Sequence, residues 1–366
     1  MSIATSNQTR FSLLVLPGDG VGPEVCASAL EVLDVITRGT GLSFDIETRS
    51  VGMACFQRTG VFVEPETIAL ARRSDAVLFG AEGGPVWDKE RERTGRPGAL
   101  LELRSGLNLY ASVRPVQAWP GVVTPGAFRP DAVAETDMVI VRELSAGIYT
   151  SRPKETTLTA AGSVAVDTQR YTAKEIDRIA RLALKMARST SVPLTSIDKA
   201  NAMETGRLWR RRVSALAASE FPEVQVQHAY ADAFLYDLVR DPTRFAVILA
   251  DNLFGDLVSD CAAVFAGSLG MLPSLCVSTD GPLFLEPVHG TASDLEGTNS
   301  VNPIGTILCI AMLLEDLCQR RDLALQLRRT VASVVQEGIR TSDLGGAAST
   351  TEMIAAITAN LSAAYS

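Results

Sequence analysis

Phe11-Ser12-Leu13-Leu14-Val15-Leu16-Pro17-Gly18-Asp19-Gly20-Val21-Gly22-Pro23-Glu24 joins a β-rich apolar run to a glycine-rich turn, and a helical pattern follows from Val25 to about Thr37. The turn looks like the G-x-G-x-x-G fingerprint of dinucleotide-binding folds, but the sixth position is Pro23. Asp19 would also face a pyrophosphate. The segment therefore reads as a tight strand-to-helix connection rather than a dinucleotide site.

Working outward, Ser43 to Val51 reads as a second strand and Pro65 to Arg73 as a helix. That helix leads into the buried strand Ala76 to Gly80. Alternation of strand and helix predicts an α/β fold with a largely parallel sheet. Further strands are expected at Met138 to Arg142, Leu194 to Asp198, Val224 to Tyr230 and Ala246 to Ala250. Further helices are expected at Ala173 to Ser189, Thr205 to Ser219, Asn302 to Asp316 and Leu323 to Glu337. Proline and glycine cluster from Gly83 to Gly98 and from Pro115 to Pro130, which predicts loops or domain crossings.

A chain of 366 residues suggests about two domains and can bury a large core. A net charge of −8 gives no reason to propose nucleic acid or an anionic membrane as partner. No run reaches the ~20 apolar residues of a membrane span. The six cysteines show no ligand-like spacing and read as reduced, buried thiols. The first ten residues lack an apolar signal core, so the cytosol is the expected compartment. A short mitochondrial leader is the alternative, with only Arg10 to support it.

Asp256 and Asp260 lie one helical turn apart in Asn252-Leu253-Phe254-Gly255-Asp256-Leu257-Val258-Ser259-Asp260. Like charges at this spacing repel, by a few tenths of a kcal/mol. A divalent cation would offset that cost, and carboxylate oxygens suit Mg²⁺ or Mn²⁺. The plainer alternative is a solvated acidic face, against which the flanking apolar residues argue. Arg104, Arg114 and Arg142 each sit in apolar context, where an unpaired charge is costly. Guanidinium forks match carboxylates, so these three suggest a substrate with more than one carboxylate. Internal salt bridges are the alternative. Arg152 follows a loop and is more ambiguous.

Lys199 follows an apolar strand, a plausible place for a proton relay, with Tyr149 and Asp232 as further candidates. The segment Glu286-Pro287-Val288-His289-Gly290-Thr291-Ala292-Ser293-Asp294 is a loop whose backbone can approach a ligand closely. A carboxylate in a nucleotide loop favours NAD over NADP, because it accepts from both ribose hydroxyls and repels a 2′-phosphate. An ordinary turn would have the same composition.

Taken in order, these segments resemble the β-decarboxylating dehydrogenases, which act on isocitrate, isopropylmalate, homoisocitrate and tartrate or D-malate. The resemblance runs from about Leu14 to Gly346 and rests on Leu16 to Glu24, Asp198 to Asn201, Asn252 to Asp260 and Glu286 to Ala292. Gly80 to Asp88 and Arg142 to Tyr149 look like the corresponding loops of the isopropylmalate branch. Leu100 and Leu101 would form an apolar pocket for an alkyl side chain. The isopropylmalate enzymes usually carry a glutamate seven residues before the first arginine; here that position is Pro97. Ser105 also replaces the usual lysine.

The resemblance implies an α/β two-domain fold that is not Rossmann, with a largely parallel sheet in a split first domain, 1–109 and 267–366. The second domain, 110–266, would carry the dimer interface and a small arm near residues 150 to 170. It implies NAD- and Mg²⁺- or Mn²⁺-dependent oxidative decarboxylation of a 3-substituted malate, namely 3-isopropylmalate to 2-oxoisocaproate in leucine biosynthesis. A paralogue acting on a bulkier substituent, such as benzyl, is the runner-up, and a non-catalytic regulatory subunit is the rival of another class. Arg104, Arg114 and Arg142 would bind the malate carboxylates. Asp256 and Asp260, with Asp232 of the partner subunit, would bind the metal. Lys199 of the partner subunit would act with that Asp232 on the hydroxyl proton, and Tyr149 would protonate the enol. His289, Gly290, Thr291, Ala292, Asp294 and Asn302 would hold NAD. Active sites shared in this way require a homodimer.

Overall fold

The computed structural model describes residues 8–122 and 130–365. The polar start of the chain, residues 1–7, and residues 123–129 of the second Pro/Gly-rich stretch lie outside them.

The strands are β1 Arg10–Gly18, β2 Ser43–Thr48, β3 Ala76–Ala81, β4 Ala111–Gln117, β5 Asp137–Glu143, β6 Lys154–Thr159, β7 Gly162–Asp167, β8 Leu194–Asp198, β9 Val226–Tyr230, β10 Val247–Ala250, β11 Pro273–Val277 and β12 Leu283–Pro287. The α-helices are α1 Gly22–Thr40, α2 Met53–Thr59, α3 Pro65–Arg73, α4 Pro85–Thr94, α5 Ala99–Gly106, α6 Pro130–Val133, α7 Ala173–Thr190, α8 Glu204–Glu220, α9 Ala231–Arg240, α10 Asn252–Ala266, α11 Ile304–Asp316, α12 Arg321–Gln336 and α13 Thr350–Tyr365. Among the described residues these form two compact units. The first comprises 8–108, 119–122 and 266–365, and the second 109–118 and 130–265.

In the first unit the strand order is β2-β1-β3-β12-β11. All neighbours are parallel except β11 and β12. Leu13, Leu14, Val15 and Leu16 of β1 are all buried, the continuous apolar run expected of a strand covered on both faces. Helix α11 is buried from Ile304 to Leu314. It begins two residues later than the sequence predicts, after Pro303 at the N-cap, and the Asn302 side chain accepts the Ile304 N–H at 3.0 Å.

In the second unit the order is β4-β5-β10-β8-β9, with β4 and β5 antiparallel and the rest parallel. Helix α7 opens with a capping box between Thr172 and Glu175. It buries Ile176, Ile179, Ala183 and Leu184, a 3.6-residue stripe. The hairpin β6–β7 is exposed at every residue, Leu158, Val164 and Val166 included.

Two expectations are corrected. The stretch from Pro115 to Pro130 does not begin as loop, because Pro115 and Gln117 belong to strand β4. The stretch from Gly83 to Gly98 is not loop throughout: Pro85–Thr94 is helix α4. Pro85 opens it, Asp88 lies in its first turn, Arg91 and Arg93 in its last, and Gly95 closes it in the left-handed region. Only Trp87 of this helix is buried, so it shows no apolar periodicity. No helix among the described residues is long and apolar enough to cross a membrane. None of the six cysteines forms a disulfide, and all but Cys261 are buried.

Candidate active site

The second unit assembles most of the charged candidates around β5 and α10. Arg142, near the end of β5, is buried. Its Nε and Nη2 donate to Asn252 Oδ1 at 3.3 and 2.9 Å, and its Nη1 donates to Asp256 Oδ1. Asn252 is itself fixed by donating to the Ala146 carbonyl at 2.8 Å. Gly255 makes this possible: a Cβ there would lie 2.6 Å from Arg142 Cγ. Arg114 on β4 is also buried and donates to Ser112 at 3.1 Å and to Ser259 at 2.5 Å. Its Nη1 lies 3.8 Å from Asp256 and 3.9 Å from Asp260.

Tyr149 donates to Asp256 Oδ2 at 3.3 Å, and its ring lies 5.7 Å from the Arg142 guanidinium carbon. Burial and then the Asp256 charge push its hydroxyl above the usual phenol range. Asp260 projects further out, its side chain 59% exposed. Burial of its remaining surface and repulsion from Asp256 raise its carboxyl above the usual range, against the pull of Arg114. The expected apolar cover of α10 is partial. Val258, Ala262 and Ala263 are buried, while Leu257 is exposed.

Lys199 follows β8 and its Nζ lies 2.5 Å from Asp232 Oδ1, in the first turn of α9. That hydrogen bond holds the Asp232 carboxyl below its usual range. Within one chain Asp232 pairs with Lys199 rather than joining Asp256 and Asp260. Among the described residues no three His, Cys, Asp or Glu side chains group closely enough to hold a metal. A small cavity beside Lys199 is also lined by Gln169, Tyr171, Trp209 and Asp251. Asp251 caps α10: it accepts the Phe254 N–H at 2.8 Å and the Gln169 amide at 3.0 Å. Burial raises its carboxyl to about 6.

The first unit holds the remaining candidates. Arg104, on α5, donates to Glu286 at 2.7 Å. Leu100 is half-buried and Leu101 is 43% exposed. The glycine-rich turn after β1 packs against the loop that follows β12. Val21 N–H donates to Thr291 O at 3.0 Å, and a Cβ on Gly20 would lie 2.3 Å from that oxygen. Asp19 is engaged internally, accepting from Met53 N at 2.8 Å and Gly83 N at 3.2 Å. It serves as a turn anchor, in keeping with the rejected phosphate cradle.

In the loop itself, Gly290 and Asp294 are exposed, while Thr291 and Ala292 are half-buried. His289 Nδ1 lies 2.8 Å from Gly290 O, and burial lowers its pKa, which favours the neutral ring. Asn302 is buried, and its side chain is committed to Asp343 and Ile304. Only its backbone is left to meet a ligand.

Sequence reasoning missed Asn252, Ser112, Ser259, Gly255, Asp251 and Gln169. Gly255 carried a signal, since glycine inside a helix costs about 1 kcal/mol against alanine and implies a close approach. The donor set fits a hard divalent ion: two carboxylates one turn apart, all oxygen, one of them largely open.

A model of the isocitrate/isopropylmalate dehydrogenase family matches residues 12–357. The 3-isopropylmalate dehydrogenase of Moorella thermoacetica is 44% identical over 338 residues, covering 91% of this chain and 93% of its own. That of Ruegeria pomeroyi is 43% identical over 364 residues, covering 96% and 98%. A solved β-decarboxylating dehydrogenase from Thermococcus kodakarensis superposes with a TM-score of 0.78 at 36% identity, covering 96% of each chain.

Proposed function

The chain belongs to the isocitrate/isopropylmalate dehydrogenase family, and from that premise we propose that it catalyses the NAD- and divalent-metal-dependent oxidative decarboxylation of 3-isopropylmalate to 2-oxoisocaproate. This is a step of leucine biosynthesis, with the cytoplasm as its place. The observation that carries the reading is the convergence of Arg142, Arg114, Tyr149 and Asp256, with Asp260 one turn on.

In this reading Arg104, Arg114 and Arg142 hold the carboxylates of the malate. Their present partners, Glu286, Ser259, Asn252 and Asp256, orient the guanidinium groups in advance, which lowers the cost of ordering them when an anion binds. Asp256 and Asp260, with Asp232 of the partner subunit, hold Mg²⁺ or Mn²⁺. When bound, the ion supplies Lewis-acid stabilisation of the negative charge that develops as CO₂ leaves, and NAD supplies the hydride acceptor. Lys199 of the partner subunit acts on the substrate hydroxyl proton with that Asp232, whose carboxyl the hydrogen bond from Lys199 holds below its usual range. Tyr149 returns a proton to the enol carbon. A phenol is protonated near neutrality, as a proton donor requires, and burial with the Asp256 charge shifts it further toward that form. The exposed Asp294 accepts the ribose hydroxyls of NAD, beside the His289–Ala292 backbone and that of Asn302.

A homodimer is part of the proposal. Tyr236, Val239, Leu257 and Val264 are apolar and exposed on α9 and α10, the helices that carry Asp232 and the Asp256–Asp260 pair. Burial of such side chains drives association. The metal aspartates, Lys199 and Tyr149 are all present, which argues against a silent regulatory subunit.

Initial rates of NAD⁺ reduction with Mg²⁺ or Mn²⁺ on 3-isopropyl-, 3-benzyl- and 3-methylmalate test the reading. The highest kcat/KM is expected on 3-isopropylmalate, and no reduction with any of the three would reject it. Preference for 3-benzylmalate would move the assignment to the bulkier substrate, a reading that Pro97 and the exposed Leu101 favour.

A further inference from the structure

Helix α5 carries Leu100, Leu101 and Arg104 on only eight residues. A helix so short has little stability of its own, so whatever holds its ends decides where its side chains stand. Its N-cap is Gly98, which offers no side-chain acceptor. A larger residue is barred there, since a Cβ would lie 2.5 Å from Trp87 Cζ2 and 2.7 Å from Glu82 Oε2. Pro97, the residue before it, brings no carboxylate.

The missing cap comes from Glu82, sixteen positions before Gly98 and just past the end of β3. Its Oε1 accepts from Ala99 N at 2.5 Å and from Trp87 Nε1 at 3.0 Å, while Oε2 accepts from Leu100 N at 2.9 Å. Burial pushes its carboxyl up, and the three donors pull it back. At the other end Arg104 is anchored to Glu286. Carboxylates from outside the helix therefore fix both of its ends.

We propose that Glu82 is a positioning residue for substrate selectivity. It caps α5 from a distance and so sets where Leu100 and Leu101 meet the substituent at C3 of the malate. The second half of this statement rests on the function proposed above; the first half does not.

The test uses the full-length protein with Glu82→Ala and Glu82→Gln. Amide hydrogen exchange at Ala99 and Leu100 is measured together with kcat and KM for 3-isopropylmalate, 3-methylmalate and NAD. In Glu82→Ala the two amides should exchange about five- to tenfold faster. KM should rise by a similar factor for 3-isopropylmalate, less for 3-methylmalate, and hardly at all for NAD. Glutamine keeps acceptors for Ala99 and Trp87 but turns an NH₂ toward Leu100. It should show the same order of effects at smaller size, and it serves alone if the alanine variant does not fold. Unchanged exchange at both amides would overturn the capping role. Equal losses on both malates would overturn the selectivity role and leave Glu82 merely structural. If the parent protein oxidises neither malate, the proposed function fails, and the exchange data still decide the cap.

Discussion

Arg142 and Asp256 form an ion pair in which the guanidinium is buried and the carboxylate is only partly so. Asp256 is thus both a candidate metal ligand and the counter-charge of a buried arginine. Asp260 is largely open, and among the described residues its ion-pair partner is Arg114, at 3.9 Å. The two aspartates should part company on mutation. Asp256→Ala should cost about 1–3 kcal/mol of stability, because it strips a partner from a buried charge. Asp260→Ala should cost about 0.5 kcal/mol or less. Both should abolish Mn²⁺ binding. Thermal unfolding and manganese titration separate the effects, and equal destabilisation would refute the division of labour.

Lys199→Met should abolish turnover while NAD binding survives; normal turnover would remove the lysine from the mechanism. The proposed sharing of active sites adds a sharper test. Lys199→Met and Asp256→Asn chains, each inactive, should recover about a quarter of parental activity when co-expressed in equal amounts, because half the dimers then hold one intact site. A mixture as dead as its components would show that each chain supplies its own lysine and aspartate.

Asp294→Ala should weaken NAD binding roughly five- to thirtyfold, the loss of hydrogen bonds to a charged acceptor. It should narrow the preference over NADP as well. Calorimetric titration of both nucleotides reads this directly, and unchanged affinities would reject the ribose contact.

Asp251 makes a prediction about pH. Its folded carboxyl is raised from an ordinary 3.8 to about 6. Between these values the folded state holds a proton that the unfolded chain has released. Stability tied to this group is therefore full below the lower value, falls as pH rises through the window, and stays low above it. The loss is on the order of 2–3 kcal/mol by neutrality. Asp251→Asn keeps an acceptor for the Phe254 N–H but cannot ionise. The metal-free variant should gain Tm over the parent at pH 7.5 and not at pH 4.5. Parallel Tm profiles would contradict the assignment.

The sequence is most legible where apolar runs and charges coincide. Pro65–Arg73 and Leu194–Asp198 run over the residues expected, since each is a compact run bounded by turn residues. Arg114, Arg142 and Lys199 stand out because a charge beside buried residues needs a reason. The rest depends on tertiary partners. Strand β4 contains Pro115, which reads locally as a break. Helix α4 shows no stripe because only its tryptophan is covered. Asn252, Ser259, Ser112 and Gln169 are neutral, and nothing in their neighbours along the chain announces the arginines or the carboxylate they fix. Glu82 is the extreme case: its cap belongs to a helix that starts seventeen residues later.

In the single chain the hairpin β6–β7 is exposed on both faces, and among the described residues each of its strands has one unpaired edge. Two strands alone are marginal in water, and a bare edge is a template for any passing chain. Dilute or freshly refolded protein should therefore be nicked by proteases at this ribbon, and crowded refolding should aggregate through it.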